Sequence, residues 1–281
     1  MTKITINRLK PLIKLKKNEY KYLSPHIFKK NKDYYLVYCN RKSPKKFQGE
    51  INFAKSRDLI RWKKISKIII KPNPKKKIHS YISPAVLVSN KKLNICLEGQ
   101  KKNSAAILFF QNNNNAWKQK KLEIFKGDMK KFYQSPFVYQ RNKRKFLFYS
   151  YNKKKIKCLI LNDKLKRIKL LNCFDSSLEN EKFCIYSPSI IRFKNNYYMF
   201  YAAWKNKDVG NVNIAFSNNL IKWKKIKKNI FKIKSSIKII SEPFLFKKDK
   251  KIFLFFEYKK KSYWNISYKS FNFKEFNKIV R

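Results

Sequence analysis

Glycine is nearly absent, with four residues in a chain of 281. That scarcity excludes the Gly-rich loops that cradle phosphates, and neither a nucleophile elbow nor an HExxH motif occurs. Turns must come from other residues. Asn, Asp and Lys fill the breaks between apolar runs, and Asn and Asp tolerate left-handed backbone. Acidic residues are also scarce, 16 against 70 Lys and Arg, for a formal charge of +54. Two histidines, His26 and His79, stand without a Cys or acidic cluster, so no metal site and no cofactor are expected. The five cysteines (Cys39, Cys96, Cys158, Cys173 and Cys184) are odd in number and show no CxxC spacing. Most fall inside apolar runs, where a thiol acts as a small buried hydrophobe. No run approaches 18 apolar residues, and Met1–Asn7 lacks the apolar centre of a signal peptide. A cytoplasmic location is expected by default.

Arginine is scarce within the basic set. Lys outnumbers Arg 61 to 9, whereas a reader of phosphate or guanine gains from the bidentate guanidinium. The charge is expected to attract polyanions non-specifically at low salt. Its simplest reading is a background of AT-rich codons, shared by the abundant Asn, Ile, Phe and Tyr. A specific polyanion or nucleic-acid binder remains the third alternative for function.

Hydrophobic residues make up 43% and aromatics 16%, enough for a sizeable core. Their arrangement repeats. Ser24-Pro25, Ser83-Pro84, Ser135-Pro136, Ser187-Pro188 and Glu242-Pro243 place prolines at 25, 84, 136, 188 and 243, spaced 59, 52, 52 and 55 residues. After each step come an apolar strand, a Lys/Asn turn, a second strand rich in Tyr and Phe, and usually a third. The second strands are Tyr34–Tyr38, Leu93–Leu97, Phe146–Tyr149, Tyr197–Ala202 and Ile252–Phe256. The third strands are Ile51–Ala54, Ala105–Phe110, Ile156–Leu161, Val212–Phe216 and Asn265–Tyr268, with a polar loop at Trp204–Asn211 in the fourth unit. No helical periodicity stands out anywhere. A multi-strand period of roughly 40 to 50 residues is the signature of a propeller. The expected fold is all-β, a five-bladed β-propeller in one domain over residues 21–281, with blades starting near 24, 83, 135, 187 and 241. Residues 1–20 fall outside the repeat and are expected to add a closing strand to the last blade or to lie across it.

Two segments repeat closely, Ser56-Arg57-Asp58-Leu59-Ile60-Arg61-Trp62 and Ser217-Asn218-Asn219-Leu220-Ile221-Lys222-Trp223. Their Asp or Asn should bond its own backbone, with Leu and Trp packed on the blade. In a propeller the first strands line a central channel. The residue-Pro steps and the loops between second and third strands then share one face. The first-to-second turns (Lys29–Lys32, Asn90–Lys92, Arg141–Arg144, Lys194–Asn196 and Lys247–Lys250) should form a Lys-covered, solvated face opposite.

A residue-Pro step opening each blade, the Tyr-Tyr-Met-Phe-Tyr second strand and the Ala-x-Ser-x-x-Leu-x-x-Trp ending resemble the five-bladed propeller glycosidases. These are the arabinanases and xylosidases of glycoside hydrolase family 43, with the related invertases and levansucrases. The likeness covers about residues 20–281. It implies a carbohydrate partner and carboxylates at the channel mouth, one acid and one base or nucleophile. The family's two Asp and one Glu fall on Ser24, Ser135 and Ser187. A hydroxyl there is neither a general acid near neutral pH nor a base without a partner. Glu242 is the one carboxylate at such a step.

Comparing the units with one another adds candidates. The column ending the second strand reads Asn40, Glu98, Tyr151, Ala203, Glu257, and the next reads Arg41, Gly99, Asn152, Trp204, Tyr258. Positions demanded by the fold should look alike between units, and these differ. Glu242, Glu98 and Glu257 are therefore the catalytic candidates. Ser24, His26, Ser83, Ser135, Ser187, Asn40, Arg41, Tyr151, Trp204 and Tyr258 are the substrate-binding ones, with Trp204 and Tyr258 as sugar-stacking platforms. Each has a structural alternative: a capping carboxylate, a partner for Lys, a hydrogen-bonded His, a packed ring. Function stays open between a glycosidase-type enzyme and a non-catalytic glycan-binding or scaffold propeller.

Overall fold

The computed structural model describes residues 3–6, 9–14, 20–41, 48–72, 78–89, 92–113, 116–120, 131–233, 237–260 and 263–281. After a short β1 (Ile4–Ile6), the chain runs through five antiparallel meanders. The first is β2 (Lys21–Lys30), β3 (Asp33–Arg41), β4 (Gly49–Ser56) and β5 (Lys63–Ile70). The second is β6 (Ser80–Ser89), β7 (Lys92–Gln100), β8 (Ala105–Asn113) and β9 (Ala116–Lys120). The third comprises β10 (Tyr133–Arg141), β11 (Arg144–Tyr151), β12 (Lys155–Leu161) and β13 (Arg167–Asp175). The fourth comprises β14 (Cys184–Phe193), β15 (Asn196–Asn206), β16 (Val209–Ser217) and β17 (Lys224–Lys227). Beyond β18 (Phe231–Ile233), the last meander is β19 (Ile237–Lys248), β20 (Lys251–Lys260) and β21 (Tyr263–Asn272), followed by helix α1 (Phe273–Val280).

Every second and third strand expected from the sequence lies inside an observed strand, because aromatic and β-branched runs suit a pleated surface buried on both faces. The first-to-second turns close in two residues. Asn31, Asn142, Lys194 and Asp249 take φ of 57°, 54°, 54° and 51°, the left-handed conformation such hairpins require. The expected turn at Asn90–Lys92 falls mostly outside the described residues.

Three features depart from the sequence reading. Trp204 to Asn206 are strand, not loop. The connection shrinks to Lys207-Asp208, because the Asn206 side chain accepts hydrogen bonds from the amides of Asp208 and Val209, both at 2.9 Å. Fourth, outer strands (β5, β9, β13 and β17) complete four meanders. Most of β13 is exposed, and β9 alternates exposed and half-buried residues, so neither shows the buried run of an inner strand. Finally, α1 is a helix of eight residues, too short to display a period. Asn272 and Glu275 cap it reciprocally, with bonds of 2.8 and 2.9 Å. Its Phe276, Ile279 and Val280 pack into a cluster with Phe193, Tyr198 and Phe200.

The N-terminal segment touches two places. β1 runs parallel to β18, and the Leu12 amide donates to Ile266 of β21 at 2.7 Å. In the last meander that segment lies where the others carry a fourth strand.

The first strands β2, β6, β10, β14 and β19 touch one another in cyclic order, β19 returning to β2, although no sheet closes on itself. Rings seal the spaces between meanders. The two repeated turns behave alike here. Ser56 Oγ accepts from the Leu59 amide and Ser217 Oγ from the Leu220 amide, both at 2.9 Å, and Leu59 and Leu220 have φ of 70° and 69°. The indoles of Trp62 and Trp223 then donate to the Leu59 and Leu220 carbonyls and pack edge-on against Phe255 and Phe148 of the preceding meander. The fully buried Phe255 and Phe148 rings contribute about 1.5 to 3 kcal/mol each, and the half-buried indoles cover them.

Candidate functional site

Each first strand is broken at the residue-Pro step. The pairing register slips at Leu23/His26, Ile82/Ala85, Gln134/Phe137, Tyr186/Ser189 and Ser241/Phe244. Ser24, Ser83, Ser135, Ser187 and Glu242 stand in these bulges with φ of 56°, 48°, 49°, 49° and 47°. A left-handed backbone on a non-Gly residue is strained, and strain held in a bulge re-aims a side chain. Here it aims five of them at one place. The five steps line a single small cavity of about 30 Å³, together with His26, Phe137 and Phe244. Ser24 Oγ lies 3.4 Å from Ser83 Oγ, and Ser83 Oγ 3.4 Å from Ser135 Oγ.

Ser187 differs from those three, because its hydroxyl is buried with no hydrogen-bond partner. Glycine there would remove both the left-handed penalty and the unsatisfied oxygen. Ser187→Gly is expected to raise stability by about 1 kcal/mol in urea denaturation, and a loss of that size would refute strain at this position.

A larger cavity of about 200 Å³ shares Ser135 and Glu242 with the first. Glu98, Gln100 and Gln134 line one part of it, and Lys153, Tyr186 and Trp204 another. Glu98 is fully buried and accepts from Gln100 Nε2 (2.8 Å), Gln134 Nε2 (3.0 Å) and the Ser135 amide (3.0 Å). Burial pushes its carboxyl up, and these donors oppose the push. Glu242 is held well above the usual carboxylate range by burial and by the neighbouring Glu257 charge. Burial likewise raises Glu257 to about 7, against hydrogen bonds from Ser241 and the Ser24 amide. Trp204 offers a flat apolar wall. Its ring lies near-parallel to two others, 6.3 Å from Phe183 and 6.1 Å from Trp264.

The other sequence candidates are placed differently. His26 is buried between Phe137 and Phe244, its Nε2 accepts the Val86 amide at 3.1 Å, and burial drives its pKa down to about 3. It is a neutral, hydrogen-bonded ring on the small cavity. Glu257 is buried but lines neither cavity, and the same holds for Asn40 and Arg41. Arg41 donates to Gln100 at 3.5 Å, and its charge favours ionisation of Glu98, Glu242 and Glu257. Tyr151 packs on Tyr133 with Lys157 over its ring. Tyr258 is 2% exposed inside the core, so its ring has no face to offer a sugar. The pleat explains this, since neighbours in a strand point to opposite sides and Glu257 faces inward.

Among the residues lining the larger cavity, the polar side chains of Tyr186, Gln100, Gln134 and Lys153 escaped the sequence reading. Tyr186 and Gln134 directly precede a step serine, and that column (Leu23, Ile82, Gln134, Tyr186, Ser241) turns polar in three units. Among the described residues no group of three or more His, Cys, Asp or Glu could hold a metal ion.

No protein-family model matches the sequence, and no curated protein matches it either. Solved structures do. An alpha-L-arabinofuranosidase from Lactobacillus brevis superposes with a TM-score of 0.76 at 11% identity, covering 94% of this chain and 93% of its own. A thermostable family-43 glycoside hydrolase gives 0.72 at 14%, covering 89% of each chain. The catalytic domain of a glycoside hydrolase family 62 alpha-L-arabinofuranosidase from Coprinopsis cinerea gives 0.69 at 11%, covering 92% of this chain and 94% of its own. The fold is that of the propeller glycosidases. The sequence resemblance pointed to this superfamily, and at such identities the likeness concerns fold alone. In this propeller glycosidase fold the step residues, which the resemblance places at the channel mouth, do converge on one cavity.

Proposed function

We propose that the five meanders form the blades of a five-bladed propeller, and that the chain acts on a glycan held in the 200 Å³ cavity. The cyclic contact of the first strands supports the blade count. The carrying observation for function is that two carboxyls, the buried Glu98 and the half-buried Glu242, line one cavity beside the Trp204 ring. Glycoside cleavage needs two carboxyl groups whose environments differ. Glu242, kept protonated, is the proton donor. Glu98, with three hydrogen bonds to its oxygens, is the carboxylate that acts as base or supports the positive charge developing on the sugar. Trp204 provides the surface on which a pyranose or furanose ring stacks. A screen of aryl glycosides tests this, comparing wild type with Glu242→Gln. Turnover by neither protein on any substrate would reject the enzyme.

One observation favours a second reading, glycan binding without turnover. The three positions where the resemblance places carboxylates carry Ser24, Ser135 and Ser187. Hydroxyls suit recognition of sugar hydroxyls better than acid–base work. Under this reading Trp204→Ala should weaken binding at least tenfold on a glycan array, with the bound glycan recovered intact. Equal binding by wild type and variant would count against it.

A further inference from the structure

Glu257 lines neither cavity, yet it is connected to the larger one. Ser241 Oγ donates to Glu257 Oε1 at 3.0 Å, and Tyr186 Oη lies 2.6 Å from the same Ser241 Oγ. Ser241 is fully buried, and Tyr186 lines the cavity with its ring 5.9 Å from Trp204. We propose that Tyr186 is the group through which the buried Glu257 exchanges a proton with a ligand in this cavity. The proposal rests on the cavity being the ligand site.

The hydrogen-bond directions follow from counting protons. Ser241 has one hydroxyl hydrogen, and it goes to the ionised Glu257. The Tyr186 hydroxyl must then donate to Ser241, which leaves a Tyr186 lone pair facing the cavity. A ligand hydroxyl or water donates to that lone pair. In the transfer step the ligand O–H bond breaks and its proton joins the Tyr186 oxygen. The Tyr186 proton passes to Ser241 and the Ser241 proton to Glu257. The electron pair stays on the ligand oxygen, and one proton is gained by the carboxylate. When Glu257 starts protonated, all three bonds reverse and Tyr186 donates into the cavity. Tyr186 therefore presents an acceptor or a donor according to the state of a carboxyl that the ligand never touches.

The surroundings suit this role. Burial, together with the charges of Glu257 and Glu242, holds the Tyr186 phenol well above its ordinary pKa, so it conducts a proton without ionising. Cys184 flanks it on its own strand. The groups facing Glu257 are Lys21 of β2, Cys39 and Arg41 of β3, and Glu242 of β19. Lys21 and Arg41 favour the carboxylate against burial, which leaves Glu257 at about 7, where either state is accessible.

The test needs no substrate. In protein labelled with carbon-13 at the tyrosine ζ position, the resonance lost in Tyr186→Phe belongs to Tyr186. In wild type it is expected to shift with a midpoint near about 7, that of Glu257. In Glu257→Gln, close in shape to the protonated acid, and in Ser241→Ala the shift should vanish. A wild-type Tyr186 signal that is flat from about pH 5 to 9, far below the ordinary tyrosine pKa, overturns the proposal. So does one that titrates unchanged in Glu257→Gln. A signal that titrates as expected in a protein that cleaves no aryl glycoside upholds the relay and rejects hydrolysis, so the two ideas fail separately. If aryl glycosides are cleaved, Tyr186→Phe should abolish the rate change centred near about 7 and leave the loss in Glu242→Gln intact.

Discussion

Replacing Lys225 by methionine is expected to destabilise the protein by about 3 to 5 kcal/mol, the cost of stranding a buried charge. The charge is Glu181, fully buried where the chain enters the fourth meander. Its Oε2 accepts from the Ser177 amide (2.9 Å), the Leu178 amide (3.2 Å) and Lys225 Nζ (2.6 Å). Its Oε1 accepts from the Tyr201 hydroxyl (2.7 Å) and Asn213 Nδ2 (3.0 Å). Burial alone would raise this carboxyl. Lys225 and the other donors outweigh it and hold Glu181 below the usual carboxylate range. The pH dependence has a definite sign. A lowered folded-state pKa contributes stability that is present above the unfolded carboxyl's value and lost as pH falls through the folded one. Glu257 works in reverse. Raised to about 7, it favours the folded state below the unfolded value, and that contribution is lost as pH rises toward 7. Urea denaturation near neutral pH reads the Lys225→Met effect directly. A change under about 1 kcal/mol would mean that water reaches Glu181, and the buried ion pair would have to be abandoned.

If the chain cleaves glycosides, Glu242→Gln is expected to lower the rate by about 10² to 10⁴, the span general acid catalysis contributes. The amide keeps the shape of the protonated acid but has no proton to give. In wild type the rate should fall on the alkaline side as pH rises through the raised Glu242 pKa and the donor is lost. The variant should lose that limb together with the rate. Rates at several pH values on one aryl glycoside check both expectations. A variant that keeps the wild-type alkaline limb would move the proton donor to another residue.

The sequence exposes the inner part of each meander because burial on both faces demands continuous Tyr, Phe, Ile and Leu, as in Tyr197–Ala202. It hides the outer strands, because solvent imposes no pattern on Arg167–Asp175. The residue-Pro steps are visible through proline. Their meaning is a positive φ and a slipped register, which only the pairing reveals. Glu98, Glu242 and Trp204 stand out because acids are rare and because the units can be compared with one another. Tyr186 and Ser241 do not stand out. They lie 55 residues apart, and two separate bulges bring their hydroxyls to 2.6 Å. Glu181 is hidden for the same reason, since its cationic partner is 44 residues away. Glu257 and Tyr258 show the limit of reading columns, because adjacent strand residues share a position in the repeat but not a side of the sheet.

The first and last meanders meet without a covalent link. Lys21 bridges to Trp264, Tyr34 packs on Phe246, and Trp62 packs on Phe255. Every other neighbouring pair is joined by the chain running directly from one to the next. This seam is therefore the costliest contact to form in chain entropy, since 193 to 243 residues separate its partners. On a ribosome the first meander must wait, with its apolar flank uncovered, until the last has emerged. Contacts so distant in sequence slow folding, and until the seam forms that flank is open to aggregation. The Lys-covered surface then takes on a kinetic meaning, because like charge keeps half-made rings apart while they wait.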